Sequence, residues 1–169
     1  STAAYPAGEL YKHKTIDEHN NAVIEYKDKE GKVILKKVQL DATPGEGHSG
    51  WLCTYYVYDD LNQLRFVIPP KAVAVLAQPA VNWVFEDSPL GDGGELCFKY
   101  AYDHRQRMIA KKVPGAGWVY MVYDKRDRLV FTQDANMRTP PGGGGAQWMA
   151  TLYDGLNRPV LTGMITYTG

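Results

Sequence analysis

A short tyrosine–aspartate signature recurs along this chain, and it limits the fold more than any other feature. It reads Tyr58-Asp59-Asp60-Leu61-Asn62-Gln63-Leu64, then Tyr102-Asp103-His104-Arg105-Gln106-Arg107-Met108. It returns as Tyr123-Asp124-Lys125-Arg126-Asp127-Arg128-Leu129 and as Tyr153-Asp154-Gly155-Leu156-Asn157-Arg158-Pro159. A first copy, Lys27-Asp28-Lys29-Glu30-Gly31-Lys32-Val33, lacks only the tyrosine before the aspartate. One unit of this length cannot bury its own apolar face, so the copies must stack side by side into an extended sheet.

Aspartate followed three residues later by Gly, Asn or Asp is a hairpin code. The carboxylate accepts backbone N–H groups of the turn, and the later residue tolerates a positive φ. Together they specify a type I turn ending in a left-handed residue that forms a bulge. Asp28, Asp59, Asp103, Asp124 and Asp154 take the first position, and Gly31, Asn62, Asp127 and Asn157 the last. Gln106 does not fit that last position, so the hairpin at Asp103 is expected to be the least ideal. Lys32, Arg107, Arg128 and Arg158 re-enter the sheet beside the aspartates. An exposed pair of that kind contributes about 0.2–1 kcal/mol. Turn chemistry accounts for every aspartate, which leaves no need for an acid–base catalytic role.

Strands flank each turn. Leu96, Phe98, Tyr100 and Tyr102 alternate with Cys97, Lys99 and Ala101, a period-2 pattern. Ahead of Asp124 both faces are apolar, Trp118, Tyr120 and Val122 against Val119, Met121 and Tyr123, which predicts a strand covered on both sides. The reading is an all-β fold of consecutive antiparallel hairpins, one domain over 1–169, curved by its bulges, with one short helical insertion. Repeats lie around 24–38, 52–70, 96–113, 118–133 and 148–163. An insertion covers 71–95, where an alanine-rich run after Pro69-Pro70 predicts a short helix halted by Pro79. Gly91-Asp92-Gly93-Gly94 reads as a turn, and 139–146, with Pro140-Pro141 and four glycines, as a flexible loop. Open edge strands on such a unit invite pairing with another copy.

Cys53 and Cys97 each lie six residues before a signature aspartate, hence in the same slot of successive repeats. Equivalent slots in a meander are two strands apart, roughly 9.5 Å, against the ~7 Å that a disulfide spans. Two thiols are therefore expected. With 19 basic and 19 acidic side chains the formal charge is zero, so no nucleic-acid footprint is present. No apolar run approaches the ~18 residues of a membrane helix. The chain begins at Ser1 without methionine, which suggests a processed or excised piece.

Candidate chemistry is thin. His13, His19, His48 and His104 stand apart with no His-x-x-x-His or Cys-x-x-Cys pair, so neither metal nor cofactor is expected. His48-Ser49 fails the nucleophile elbow because Trp51 replaces its last glycine, and the glycine run at 142–145 lacks the Lys-Ser/Thr of a phosphate loop. Tyr55, Trp118, Tyr120 and Trp148 share one sheet face and are candidate ligand-face aromatics, with cross-strand packing as the favoured role.

The signatures resemble the Rhs (rearrangement hot spot) or YD-repeat family, best at Tyr153–Arg158 and Tyr123–Leu129. The stretches 24–33 and 119–129 resemble Rhs-like cell-wall-associated proteins of Bacteroidetes, and the resemblance spans roughly 9–163. It implies a sheet wound into a hollow shell that encloses a polypeptide toxin for bacterial delivery; the related teneurins use a similar barrel in adhesion. The family's self-cleaving protease core and variable effector are not evident in this sequence. The resemblance therefore implies a non-enzymatic shell segment of a secreted or cell-surface bacterial protein. Its partners would be the rest of the parent polypeptide and an enclosed effector, or a second copy through the edge strands. The alternative is an adhesion or carbohydrate-binding module that uses the aromatic face.

Overall fold

The structure is a computed structural model and describes residues 5–78, 83, 95–141 and 143–167. It forms two compact units, Ser1–Cys97 and Phe98–Gly169. The first holds β1 (Tyr11–Ile16), β2 (Ala22–Lys27), β3 (Val33–Gln39), β4 (Trp51–Tyr58), β5 (Leu64–Ile68) and α1 (Pro70–Leu76). The second holds β6 (Phe98–Tyr102), β7 (Met108–Val113), β8 (Gly117–Tyr123), β9 (Leu129–Gln133), α2 (Ala135–Arg138), β10 (Gln147–Tyr153) and β11 (Pro159–Thr166). Within each unit, strands pair antiparallel in chain order, which is the all-β hairpin meander expected from the repeats.

Each signature hairpin carries a one-residue register shift at the same place, between Tyr26/Lys27, Val57/Tyr58, Ala101/Tyr102, Val122/Tyr123 and Leu152/Tyr153. The extra residue on the return strand (Ile34, Arg65, Ile109, Val130 or Val160) opposes no single partner. The strand gains local twist there. The β1–β2 hairpin has no such shift.

In the first unit all the buried strand residues fall on one face, Ala22, Ile24, Lys37, Cys53 and Ile68. The reason is α1. Seven residues are too few to hold a helix unaided, so α1 persists by burying Ala72, Val73 and Leu76 against that face. Pro70 opens it where a missing N–H costs nothing, and the Val73 N–H reaches the Pro69 carbonyl at 3.0 Å. The expected stop at Pro79 and the turn at 91–94 lie outside the described residues. Cys53 and Cys97 both belong to this buried cluster and form no disulfide, in line with the slot argument.

Nine residues after the aspartate is the most deeply buried slot in four of the five return strands, where Lys37, Ile68, Lys112 and Gln133 are 8%, 3%, 5% and 4% exposed, while Gly163 of β11 is exposed. Polar occupants there keep partners. The Lys37 Nζ donates to the Gly47 carbonyl at 2.6 Å with its charge 4.7 Å over the Trp51 ring, and the Gln133 Nε2 donates to the Gln147 carbonyl at 2.8 Å. These contacts satisfy groups whose burial is otherwise costly.

Two expectations are corrected. A second helix, α2, exists, started by the Asp134 side chain accepting the Met137 N–H at 2.8 Å. The strand β8 is not covered on both sides, since Tyr120 and Val122 are 38% and 42% exposed. Ahead of β4 the chain turns back tightly over 41–50. Gly50, at φ +75°, lets the chain close so tightly that an added Cβ would lie 2.8 Å from Pro44 Cα.

Candidate functional site: a ladder of linked turns

The five signature turns share one geometry. Each aspartate Oδ1 accepts two backbone N–H groups: Asp28 from Glu30 and Lys32, Asp59 from Leu61 and Gln63, and Asp103 from Arg105 and Arg107. Asp124 accepts from Arg126 and Arg128, and Asp154 from Leu156 and Arg158, with all ten distances between 2.8 and 3.1 Å. The fourth residue of each turn is left-handed, with φ of 85° at Gly31, 62° at Asn62, Asp127 and Asn157, and 63° at Gln106. The expectation that the Asp103 hairpin would be the least ideal is therefore corrected. The two carboxylate bonds and the flanking register impose the left-handed backbone on Gln106, although its side chain has no preference for it.

A sixth turn went unread in the sequence. Asp17 Oδ1 accepts from His19 and Asn21 at 2.9 and 2.8 Å, and Asn20 has φ 63°. Asp17 and Asn20 carry the same spacing, but Ile16 replaces the tyrosine and Asn21 the cation.

The turns are also joined to one another. Beside its own aspartate, the cation of one turn reaches the left-handed residue of the next. Lys32 Nζ donates to Asn62 Oδ1 at 2.7 Å, Arg107 Nη1 to Asp127 Oδ1 at 2.6 Å and Arg128 Nη1 to Asn157 Oδ1 at 3.2 Å. Each also lies over the next signature tyrosine: Lys32 over Tyr58 at 5.8 Å, Arg107 over Tyr123 at 4.9 Å and Arg128 over Tyr153 at 5.0 Å. Tyr123 and Tyr153 then donate their hydroxyls to the Met108 and Leu129 carbonyls at 2.9 and 2.8 Å. The signature thus encodes two halves of a contact made between successive copies. The tyrosine receives the previous cation and the cation seeks the following tyrosine. The Asp59 turn has Gln63 in the cation slot, and Arg65 lies 3.8 Å from the Asp59 carboxylate instead.

These contacts favour the ionised form of Asp17, Asp28, Asp103, Asp124 and Asp154. Hydrogen bonds from the Arg107 side chain bring Asp103 down to about 2. The Arg128 side chain lowers Asp124, and the Arg158 and Asn21 backbone N–H groups lower Asp154 and Asp17. Elsewhere, burial keeps the His48 ring below its ordinary 6.5, with its Nε2 2.8 Å from the Tyr55 hydroxyl. Burial pushes that hydroxyl up to about 12. All the lowered groups bind fewer protons folded than unfolded, so each stabilises the fold above its unfolded pKa and ceases to do so as pH falls through its folded value. The expected acid profile of the melting temperature is a shallow decline beginning below about pH 6.5, from His48, and a steep one between roughly pH 4 and pH 2 from the carboxylates. His48→Gln should remove the first phase alone. A profile flat down to pH 2 would contradict the turn geometry.

The four candidate ligand-face aromatics are divided between the units. Tyr55 lies in the first, edge-on to Trp83 with centroids 5.2 Å apart. In the second, Arg138 sits 4.6 Å over the Tyr120 ring and donates to the Trp118 carbonyl at 2.7 Å, while Trp148 meets Phe131 edge-on at 6.4 Å. The rings of Tyr55, Tyr120 and Trp148 thus have protein partners. Among the described residues no helix is long and apolar enough to cross a membrane.

No protein-family model and no curated protein matches the chain. Solved structures do. A mutant Photorhabdus luminescens Tc holotoxin pore matches with a TM-score of 0.60 over 92% of this chain at 16% identity. The TcdB2-TccC3 complex and the TcdB2-TccC3-Cdc42 complex match with TM-scores of 0.61 over 88% and 89% of it, each at 16% identity. The chain spans 6% of the length of each matched chain. The likeness is one of fold, and it agrees with the YD-repeat architecture.

Proposed function

We propose that this chain is a structural segment of an Rhs-type β wall that encloses a polypeptide effector for secretion or delivery, with no catalysis of its own. The observation that carries this reading is the ladder. Turns of one geometry, each anchored on a carboxylate and three of them joined by a cation to the turn that follows in the same unit, build sheet. The fold likeness to TccC3-containing toxin complexes supports the same reading. So does the face of the second unit that carries Val122, Leu152, Leu161 and Ile165, which are 42%, 58%, 61% and 47% exposed. An apolar surface of that kind suits contact with another polypeptide better than contact with water. The protein contacts of Tyr55, Tyr120 and Trp148 weigh against an open sugar-stacking face.

The test is photo-cross-linking in the polypeptide that carries this segment, made by its own bacterium. A benzophenone amino acid placed at Leu152 or Leu161 should capture an effector segment, and one at Thr162 or Met164, on the other face, should not. Capture of glycan from the first pair, or of nothing, would overturn the enclosing role.

A further inference from the structure

The connection between β3 and β4 is fastened to the sheet by three side chains. Trp51 Nε1 donates to the Gly45 carbonyl at 3.1 Å, Lys37 Nζ donates to the Gly47 carbonyl at 2.6 Å, and His48 Nε2 shares a 2.8 Å hydrogen bond with the Tyr55 hydroxyl. Backbone bonds within it run from the Gly45 N–H to Ser49, from Ser49 to Glu46 and from Trp51 to His48. Over 41–50 only Pro44, His48 and Gly50 are partly covered, so the segment has little apolar burial of its own to keep it shut. His48 is its one titratable side chain that is not exposed. That ring lies 5.9 Å from Tyr55 and 5.7 Å from Trp83, centroid to centroid. The charge that faces it is Lys37 of β3. From β4, Cys53 and Tyr55 stay neutral because burial pushes both groups up. Asp41 and Glu46 of the segment itself make no ion pair among the described residues. A proton on His48 therefore adds a second positive charge to a half-buried aromatic cluster that already holds one.

We infer that 41–50 is a pH-operated strap, closed over Tyr55 and Trp83 while the His48 ring is neutral and released when that ring takes a proton. Release uncovers the edge-on Tyr55–Trp83 pair, which also lines a cavity of about 750 Å³ together with Ile68, Asp59 and Asn62. The direction follows from proton counting. Burial and then Lys37 hold the shut ring below its ordinary 6.5, so the shut strap binds fewer protons than the open one. Closure is complete above about pH 6.5 and weakens as pH falls toward the shut-state value, by up to about tenfold per pH unit. Local opening of this kind leaves the strands paired, because their ladder does not pass through the strap. The strap holds whether or not the wall encloses an effector.

The test is amide exchange of the full chain, followed residue by residue at about pH 7.5 and about pH 5, with each rate divided by its intrinsic value. The Gly45, Ser49 and Trp51 N–H groups should lose protection about tenfold between the two, while the amides of β2 keep theirs. His48→Gln keeps an amide for the Tyr55 hydroxyl but takes no proton, so its strap should stay equally protected at both. Lys37→Met frees the Gly47 carbonyl and removes the facing charge. It should speed exchange at neutral pH roughly fivefold and leave a smaller response to acid. In the unaltered chain the His48 Cε1 proton should titrate over the same pH interval as the strap amides, a reading that needs no variant to fold. Protection unchanged by acid, a loss shared equally by β2, or an acid response that survives His48→Gln would overturn the strap. So would a His48 titration that leaves the strap amides unmoved.

Discussion

Leu76→Ala is expected to lower the unfolding free energy by about 2–5 kcal/mol, the range for emptying a closed apolar site. Leu76 is 0% exposed, at the last turn of α1, in a cluster with Cys53, Ile68, Ala72, Val73 and Cys97. Leu35, Trp51, Tyr55 and Trp83 pack around that cluster. A helix of seven residues has no stability to spare, so losing its deepest side chain threatens the helix as well as the contact. Val75→Ala, on a half-buried position of the same helix, should cost well under half as much. Urea unfolding followed by tryptophan fluorescence reads both changes. Equal effects at the two positions would mean that α1 does not seat on the sheet as described.

Tyr123→Ala should be the most damaging single change in the ladder, about 2 kcal/mol from a half-buried ring, a cation–π contact and a hydrogen bond lost together. Tyr123→Phe separates the parts, because it removes only the hydroxyl bond to the Met108 carbonyl and should cost about 1 kcal/mol. In combination with Arg107→Ala, the loss from Tyr123→Ala should shrink, since the guanidinium 4.9 Å above the ring has gone. Strictly additive losses would show that the stacking contributes nothing and that the tyrosine serves packing alone.

What the sequence disclosed and what it withheld follow from the range of each interaction. A turn held by one carboxylate and two N–H groups within four residues is local, so Asp59, Asp103, Asp124 and Asp154 declare it in a single stretch of text. The helix α1 was legible for the same reason, through Pro69-Pro70 and the alanine-rich run. The link from Arg107 to Tyr123 was not, because its two halves belong to different copies and meet only once register is fixed. The Asp17 turn is not legible from the signature because it lacks both the tyrosine and the cation, which make contacts between copies. The turn itself needs only the aspartate and a residue such as Asn20. Gln106 misled in the other direction, since side-chain preference for the left-handed region is a weak bias that carboxylate bonds override. The alternation around Tyr120 and Val122 suggested two covering layers, yet in the second unit both residues remain partly exposed.

The direction of the Arg107–Tyr123 and Arg128–Tyr153 contacts has a mechanical consequence. Each guanidinium leans on the ring that follows it in the chain, so the array has a head and a tail like a row of overlapping roof tiles. Removing a tile at the tail uncovers the one before it, whereas removing one at the head strips no cation from its support. Force applied from the β11 side should therefore break the contacts in reverse chain order, Arg128–Tyr153 before Arg107–Tyr123.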